Sequence, residues 1–383
     1  MQMKILERVE RKISKAGKKS VVTFNLGELF CGPGGLGIGA FSSRVELGET
    51  VYEVRHTWSN DYDLDTCRTY LRNICPDNPS SVICCDVREL NIEKLSPIDA
   101  FAYGFPCNDF SIVGEQKGFK GKFGPLYTYG VNVLDYFKPK FFVAENVGGI
   151  TTANEGKAFK KILFDLENAG DGYNLTANLY KSEEYGIPQM RHRVIIVGIE
   201  RSFNLKFRVP APTTLSKYKT VKEALENPPI PKNAFNNEKT VQSQTVVKRL
   251  QHILPGQNVW TADIPDELKL NVRGAKLSQI YRRLHPDRPS YTLTGSGGGG
   301  THGYHWDEPR ALTNRERARI QTFPDSFIFE GSKESVRKQI GMAVPPKLSE
   351  AIFTAILKTF AGIEYDYTSP NIGEDYSLFD RMK

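Results

Sequence analysis

The stretch that decides the fold is VVTFNLGELFCGPGGL, which runs from Val21 to Leu36. Its first part, Val21–Phe30, is rich in β-branched and aromatic residues and predicts a strand. The glycine cluster Cys31–Gly39 follows at once and leads into a predicted helix. Glycines at such a turn let the backbone bend tightly and approach a ligand closely. A strand, a glycine turn and a helix in this order are typical of the ligand-binding edge of an α/β sheet.

Two acidic residues downstream fit the same edge. A dinucleotide is a weak interpretation of this glycine cluster, whereas an adenosine-type cofactor such as S-adenosylmethionine fits the turn. Asp61 ends the second predicted strand and could accept hydrogen bonds from a ribose. Asp86 follows the third strand and could face an adenine amine. Taken alone, each acid is more often a helix cap or a surface charge.

Outward from this stretch, strands and helices alternate, which predicts a mostly parallel sheet flanked by helices. The predicted strands are Val21–Phe30, Val51–Ser59, Ser81–Cys85, Ala100–Tyr103, Phe141–Ala144 and Val194–Gly198, and the predicted helices are Leu64–Asn73, Val131–Phe137 and Lys157–Asn168. After about residue 200 the chain becomes basic, proline-punctuated and irregular, up to the tract Gly295–Gly300. Helical patterns return at Thr313–Ile320 and Leu348–Phe360.

Composition narrows the class of protein. The 383 residues are 39% hydrophobic and 25% charged, which supports a sizeable core and excludes a disordered chain. No apolar run approaches the ~18 residues of a transmembrane helix, and the first twenty residues lack the apolar stretch of a secretory signal. The six cysteines form no C-x-x-C pair, so we expect neither a zinc site nor a disulfide scaffold, and a reducing compartment.

The net charge of +7 is distributed unevenly. Residues 1–20 carry +5, residues 201–305 carry +9, and the remainder carries −7. A basic arm and a basic central segment on an acidic body suit a polyanion held by one part of the molecule. A solvated basic surface explains the charge alone equally well.

Residues with catalytic chemistry stand at the predicted ends of neighbouring strands. Cys107 lies in Gly104–Ser111, GFPCNDFS, where a thiolate would be a competent nucleophile, although a lone cysteine is usually a small buried hydrophobe. Glu145 ends another apolar strand, and a buried carboxyl at that edge would have a raised pKa and could serve as an acid. Arg191 and Arg193 alternate in an extended segment, so both point the same way and suit an anionic, planar substrate unless they are a surface pair.

Together these motifs resemble those of the cytosine-5 DNA methyltransferases, over about residues 21–361. Seven segments match in the family's order: the cofactor loop Phe30–Gly35, the nucleophile motif Gly104–Cys107, the adenine-side segment Gly124–Tyr127, the acid motif Glu145–Val147, the Gln-x-Arg-x-Arg motif Gln189–Arg193, the Arg283–Thr292 motif that supports the target-recognition domain, and the closing motif Gly341–Pro346. Two residues depart from the pattern. Asn108 stands where the family usually has Gln, and Met342 replaces an Asn that helps to form the cofactor-pocket wall.

The resemblance implies an α/β fold, with a Rossmann-like S-adenosylmethionine-dependent methyltransferase sheet and a smaller, irregular target-recognition domain. The expected division is a basic N-terminal helix at 1–20, a catalytic and cofactor-binding domain at 21–200, a target-recognition domain at 201–305, a return to the catalytic domain at 306–361 and a C-terminal tail at 362–383.

The implied reaction transfers a methyl group from S-adenosyl-L-methionine to C5 of a cytosine in a short, specific double-stranded DNA sequence, leaving S-adenosyl-L-homocysteine. Cys107 would add to C6, Glu145 would donate to N3, and Arg191, with Arg193 beside it, would act near O2 and the carboxylate. Loss of the C5 proton would then expel Cys107. The base must be flipped out, because a stacked ring is inaccessible.

The same resemblance assigns binding residues. For the cofactor they are Phe30, Gly32, Gly34, Gly35, Leu36, Asp61, Tyr62, Asp86, Val87, Pro106, Leu126, Met342 and Val344. For DNA they are Ser111, Gln189, Arg273, Lys276, Arg282, Arg283, Gly297, Gly298 and Gly299. The four basic residues among them are candidate base readers. The glycines would let a loop approach the DNA backbone, or else form a flexible linker.

We expect a cytoplasmic monomer bound to nucleoid DNA, without metal or membrane. It would be the modification enzyme of a restriction-modification system, with a cognate endonuclease as a genetic rather than a physical partner. A tRNA cytosine-5 methyltransferase of the same motif family would use the same Cys and Glu, but the large basic segment favours duplex DNA. An inactive DNA-binding relative would have lost Cys107 or Glu145. A nicotinamide-dependent dehydrogenase leaves both residues and the two arginines unexplained.

Overall fold

The computed structural model describes residues 19–106, 126–152, 156–271, 276–295 and 300–373. The basic helix expected at 1–20 therefore lies almost wholly outside the described residues. The strands are β1 (Ser20–Leu29), β2 (Arg44–Leu47), β3 (Thr50–Asp61), β4 (Val82–Cys84), β5 (Ala100–Gly104), β6 (Phe141–Val147), β7 (Tyr173–Lys181), β8 (Gln189–Met190), β9 (His192–Glu200), β10 (Val209–Pro210), β11 (Ser290–Tyr291) and β12 (Tyr367–Thr368). The helices are α1 (Gly35–Ser42), α2 (Leu64–Ile74), α3 (Tyr127–Phe137), α4 (Lys157–Asn168), α5 (Val221–Glu226), α6 (Gln244–Gln251), α7 (Asn314–Ile320), α8 (Lys333–Met342) and α9 (Pro346–Ala361).

An eight-stranded mixed sheet forms the centre of the protein. Its order is β2-β3-β1-β5-β6-β9-β7, with β4 also paired to β3. The strands β4, β3, β1, β5 and β6 are parallel, whereas β2, β9 and β7 pair antiparallel at the two sides. The chain passes from β1 to β3 on one side and later to β5 on the other, so the strand order reverses between β1 and β5. Ligands of open α/β sheets bind at the carboxyl ends of strands at such a reversal.

Both faces of the sheet are covered, which explains why its central strands are apolar without alternation. Phe141 packs on one side with α9 residues such as Ile352 and Phe353. Phe142, one residue later, packs on the other side with α3 and α4 residues such as Leu134 and Ile162. The predicted α/β class is confirmed, although the sequence did not predict the strands β2 and β7.

The segment Lys333–Ala361 contains an 18-residue window with a mean hydropathy of 1.3, apolar enough by composition to cross a membrane. However, 67% of that window is buried inside the protein. The segment consists of the two helices α8 and α9, and α9 buries Leu348, Ile352 and Ile356 against the sheet. Packing in the protein core accounts for its apolar composition.

The segment 201–305 has little regular structure and contributes to two small cores that it shares with the returning chain. Its two helices, α5 and α6, begin at the side-chain caps Thr220 and Ser243. One core surrounds Leu250 and Ile253, and a second includes Trp306 together with Ile320 of α7. Irregular loops around small cores explain why no hydrophobic periodicity is visible in this part of the sequence.

Candidate active site

The glycine loop begins where β1 ends, at the reversal of strand order. Gly34, with φ of 99°, precedes α1, and a Cβ there would lie 2.3 Å from Cδ1 of Ile74. A Cβ on Gly35 would lie 2.3 Å from the carbonyl oxygen of Val344. A Cβ on Gly32, with φ of 56°, would meet nothing within 4 Å. The loop is therefore tightly packed at its helix end and open at Gly32, where a ligand can approach the backbone.

A buried carboxyl group lies beneath this loop. Glu28 of β1 is 1% exposed and accepts a hydrogen bond from the Tyr70 hydroxyl, which also lies 3.2 Å from Nδ1 of His56. Burial raises the pKa of Glu28 to about 7, against the opposing hydrogen bonds from Tyr70 and the Gly37 N–H. Its Oε1 is buried without a hydrogen-bond partner among the described residues. The sequence analysis gave Glu28 no role.

The two acids predicted for the cofactor have different surroundings. Asp61 accepts hydrogen bonds from the backbone N–H groups of Gly32, at 3.0 Å, and Asp63, at 3.1 Å, while burial raises its pKa. Asp86 accepts from Nε of Arg88 at 2.9 Å and from the Arg88 N–H at 3.0 Å, and these bonds lower its pKa to about 2. Asp61 is thus joined to the glycine loop, whereas an adenine amine would have to share Asp86 with Arg88.

The rim of this crevice exposes apolar side chains. Tyr62 is 65% exposed and Met342 is 63% exposed. Nζ of Lys338 lies 5.7 Å from the centre of the Tyr62 ring and 3.5 Å from Oδ2 of Asp63. Of the other predicted cofactor residues, Leu36, Val87 and Val344 are buried, and Phe30, Pro106 and Leu126 are half-buried.

Glu145 occupies the carboxyl end of β6. Its backbone pairs with Gly104 of β5, and a Cβ on Gly104 would lie 3.0 Å from Oε2 of Glu145. Nε of Arg193 lies 2.8 Å from Oε1 of Glu145. Burial raises the pKa of Glu145, although the charges of Arg193 and Arg191 oppose the shift. The site therefore contains a buried carboxyl with two guanidinium groups, as the alternation of the two arginines predicts.

The chain that leads to Cys107 is fixed beside this carboxyl. Nδ2 of Asn146 donates to the carbonyl of Phe105 at 3.1 Å, while Oδ1 of Asn146 accepts from the Val147 N–H at 2.8 Å. Cys107 itself lies outside the described residues.

Arg191 is 1% exposed and lies between the acid and the closing motif. Its Nη2 donates to the carbonyl of Met342 at 3.3 Å, and its Nε is buried without a hydrogen-bond partner among the described residues. Burial lowers the pKa of Arg191, as does the charge of Arg193, whereas Glu145 opposes the shift. Met342 contacts Arg191 through its backbone, so that contact does not depend on the side chain at which the sequence departs from the family.

Gln189 makes structural contacts within the protein, and its predicted contact with DNA stays a prediction. It is fully buried, its Nε2 donates to Oε1 of Gln321 at 2.5 Å, and its Oε1 accepts from the Leu293 N–H at 3.1 Å. Gln321 in turn donates to the carbonyl of Ala343 at 2.6 Å. Both polar atoms of the Gln189 amide are therefore occupied in joining β8 to the segments around β11 and α7.

Arg283 is also held by structural contacts, and its predicted reading of a base stays a prediction. It is buried, and its guanidinium donates to the carbonyls of His305 at 2.9 Å, Leu250 at 3.1 Å, Ile253 at 3.0 Å and Trp306 at 2.5 Å. These four carbonyls come from two separate segments. Arg283 thus joins the end of α6 to the segment that contains His305 and Trp306, and it satisfies backbone carbonyls of both.

The remaining DNA candidates are only partly described. Arg282 lies over the Tyr291 ring at 4.5 Å, and Lys276, which is exposed, lies 5.4 Å from the Trp260 ring centre. Both side chains place a positive charge at the surface of the basic segment. The candidates that fall outside the described residues are Ser111, Arg273, Gly297, Gly298 and Gly299.

Solved structures with the same fold are methyltransferases. A prophage-encoded protein from E. coli, described as a DNA modification methyltransferase, matches with a TM-score of 0.67 and 24% identity over 88% of this chain and 99% of its own. The Entamoeba histolytica methyltransferase EhMeth matches with a TM-score of 0.61 and 16% identity over 89% of this chain and 99% of its own. At these identities the likeness supports the fold alone.

Sequence comparison is more specific. The family model of the C-5 cytosine-specific DNA methylases matches residues 24–358. The chain is 60% identical to the type II methyltransferase M.BbvI of Brevibacillus brevis, over 89% of this chain and 93% of that protein. It is 41% identical to the type II methyltransferase M.NgoFVII of Neisseria gonorrhoeae, over 87% of this chain and 86% of that protein. The chain belongs to the C-5 cytosine-specific DNA methylase family, as the order of its motifs predicts.

Proposed function

We propose that the enzyme methylates C5 of a cytosine within a short, specific duplex sequence, through a covalent bond between Cys107 and C6 of a flipped-out base. The observation that carries this proposal is Glu145, a buried carboxyl with a raised pKa that is paired with Arg193 and lies beside the strand leading to Cys107. S-adenosyl-L-methionine, when bound, supplies the electrophilic methyl group and leaves as S-adenosyl-L-homocysteine.

The crevice at the end of β1 fits that cofactor. Gly32 leaves open space beside the backbone, and Asp61, at the end of β3, stands next to it with a carboxylate suited to a ribose. The exposed Tyr62 ring offers an apolar face for a purine. These residues would hold the cofactor at the strand-order reversal, at the same sheet edge as Glu145.

The protein groups have separable tasks in the reaction. Addition of the Cys107 thiolate to C6 pushes electron density onto N3 and O2, and a protonated Glu145 can hydrogen-bond N3 as that density develops. Arg191, whose buried Nε lacks a partner among the described residues, can donate toward O2. The activated C5 would accept the methyl group that the cofactor supplies, and loss of the C5 proton to solvent would then restore the C5–C6 double bond and release the thiolate. Arg193 is a positioning residue, since it holds the Glu145 carboxyl.

The substrate we propose is duplex DNA, and the setting is a restriction-modification system, as in the relatives named type II methyltransferases. The basic segment 201–305 supplies the charge needed to hold a duplex. Among the described residues, no group of three or more His, Cys, Asp or Glu side chains could hold a metal ion. We further propose a cytoplasmic monomer. The cognate endonuclease would recognise the same DNA sequence and would make no contact with the methyltransferase.

Sequencing of 5-methylcytosine in a host that lacks cytosine methylation tests this proposal. Cells expressing the chain should carry 5-methylcytosine at one short sequence in genomic DNA, and cells expressing the Cys107→Ala variant should not. Host tRNA is analysed in parallel. New methylation in tRNA with none in DNA would replace the proposal with the RNA alternative.

A further inference from the structure

Two arginines and a histidine converge where the basic segment meets the returning chain. Nη2 of Arg317, on α7, donates to the carbonyl of His302. Nη1 of Arg337, on α8, lies 2.9 Å from Nδ1 of the same histidine. Burial, together with the charges of Arg337 and Arg317, lowers the pKa of His302 to about 4. The histidine is therefore neutral near pH 7, and the two guanidinium groups of this cationic cluster keep their charge.

Two carboxylates act on the cluster, Glu334 on His302 and Glu316 on Arg317, but neither forms an ion pair with Arg317 or Arg337. Arg317 is 4% exposed, yet neither it nor Arg337 forms an ion pair within the part of the chain described by the structure. The neighbouring acid, Glu316, is held by Arg310 at 2.8 Å. Nε of Arg337 is buried without a hydrogen-bond partner among the described residues. Buried charges are normally paired, so this arrangement lacks an anion.

The position of the cluster indicates which anion is missing. His302 follows the glycine tract Gly295–Gly300 by two residues, and Gly295 packs against the backbone of Lys338, the residue after Arg337. The cluster thus lies at both ends of the tract that the sequence predicts to approach the DNA backbone. The Arg282 guanidinium lies over the Tyr291 ring, whose hydroxyl donates to the Arg282 carbonyl. The charges of Arg317 and Arg282 both act on Tyr291, so Arg282 is a third cation near the cluster.

We propose that Arg337, organised by His302 and backed by the buried charge of Arg317, binds one phosphodiester of the DNA backbone and thereby docks the target-recognition segment against the catalytic sheet. The contact would be independent of base sequence, since it uses only the phosphate. This proposal rests on the proposed function in taking duplex DNA as the substrate.

The salt dependence of duplex binding tests the proposed phosphate contact. A non-specific duplex without cofactor is titrated between 50 and 200 mM salt with wild type, Arg337→Gln, Arg317→Met and the matched control Lys358→Gln, whose charge lies on α9 near Tyr365. Losing one phosphate contact reduces the slope of log affinity against log salt by about 0.9. The affinity ratio of wild type to either cluster variant should therefore shrink roughly 3-fold across this range. Lys358→Gln should keep the wild-type slope.

Two cluster variants are used in case one of them does not fold. A thermal midpoint shows which variant is folded, and one folded variant is sufficient for the test. If a folded cluster variant kept the wild-type slope of log affinity against log salt, the proposed phosphate contact would be overturned. An equal slope change in Lys358→Gln would show an effect of net charge alone and would also overturn it. Failure of the wild-type protein to bind duplex DNA would instead contradict the proposed function.

Discussion

Glu145 carries the proposed acid role, and the Glu145→Gln variant removes its proton while keeping its shape. The amide keeps an oxygen for Arg193 but cannot act as a carboxylic acid, so methyl transfer should fall by about 10²–10⁴-fold. Single-turnover transfer of labelled methyl to duplex DNA measures this, with Glu167→Gln on the exposed end of α4 as the control. Duplex affinity should stay within a few-fold. Transfer at the wild-type rate would remove Glu145 from the mechanism.

Glu28 gives the protein a pH-dependent stability that Glu28→Gln should reduce. Its pKa is raised from 4.5 to about 7 by burial, so the folded state binds the proton more tightly than the unfolded state. Its contribution to the free energy of unfolding is therefore fully present below about pH 4.5 and is lost as pH rises through about 7, a change of a few kcal/mol.

Glutamine at this position stays neutral and still accepts from Tyr70. Urea unfolding at pH 5 and pH 8 should therefore show a smaller loss of stability in the variant than in wild type. The exposed Glu93→Gln should behave like wild type. Equal losses in Glu28→Gln and wild type between these pH values would show that Glu28 does not carry this dependence.

At the scale of elements, Arg283 holds parts of the irregular segment together, and we expect the Arg283→Lys variant to be less stable. A single ammonium cannot reach four carbonyls from two segments, so several buried acceptors lose their partner, at a cost of about 2–5 kcal/mol. Denaturant unfolding measures the loss, and Arg282→Lys serves as the neighbouring control. A stable Arg283→Lys variant with altered base preference at one position would instead support the base-reading role.

The same residues show how far sequence reasoning reaches. The strands β1, β5 and β6 were predicted because burial on both faces makes them continuously apolar. The strand β7 was missed because it contains Thr176 and Asn178, whose polarity is satisfied by the Phe207 carbonyl and by Asn371, far away in sequence. Glu145 was predicted from its place after an apolar strand.

The structural contacts of Gln189 and Arg283 were not predicted, because nothing local in the sequence marks a polar side chain that will be buried against distant amides and carbonyls. Glu28 was missed for the same reason, since its partner Tyr70 comes from another element. The identity of a polar residue is visible in the sequence, but its burial is set by the tertiary fold.

At the scale of the whole molecule, the separation of charge predicts a division of labour. The segment 201–305 carries +9, whereas the chain outside it and the first twenty residues carries −7. Replacing 201–305 by the corresponding segment of a family member with a different recognition sequence should transfer the site of methylation, because the catalytic edge lies in the sheet. Sequencing of 5-methylcytosine after expression of the hybrid measures this. An active hybrid that still methylates the original sequence would place recognition elsewhere.

The most direct test of the central claim is covalent trapping on a duplex that carries 5-fluorocytosine at the target position. Fluorine replaces the C5 proton whose loss would release the thiolate, so the wild-type enzyme with S-adenosylmethionine should form a protein–DNA complex that survives denaturing electrophoresis. Peptide mapping should place the bond at Cys107, and Cys107→Ala should give no such complex. Absence of the complex with active wild-type enzyme, or its persistence in Cys107→Ala, would contradict the account.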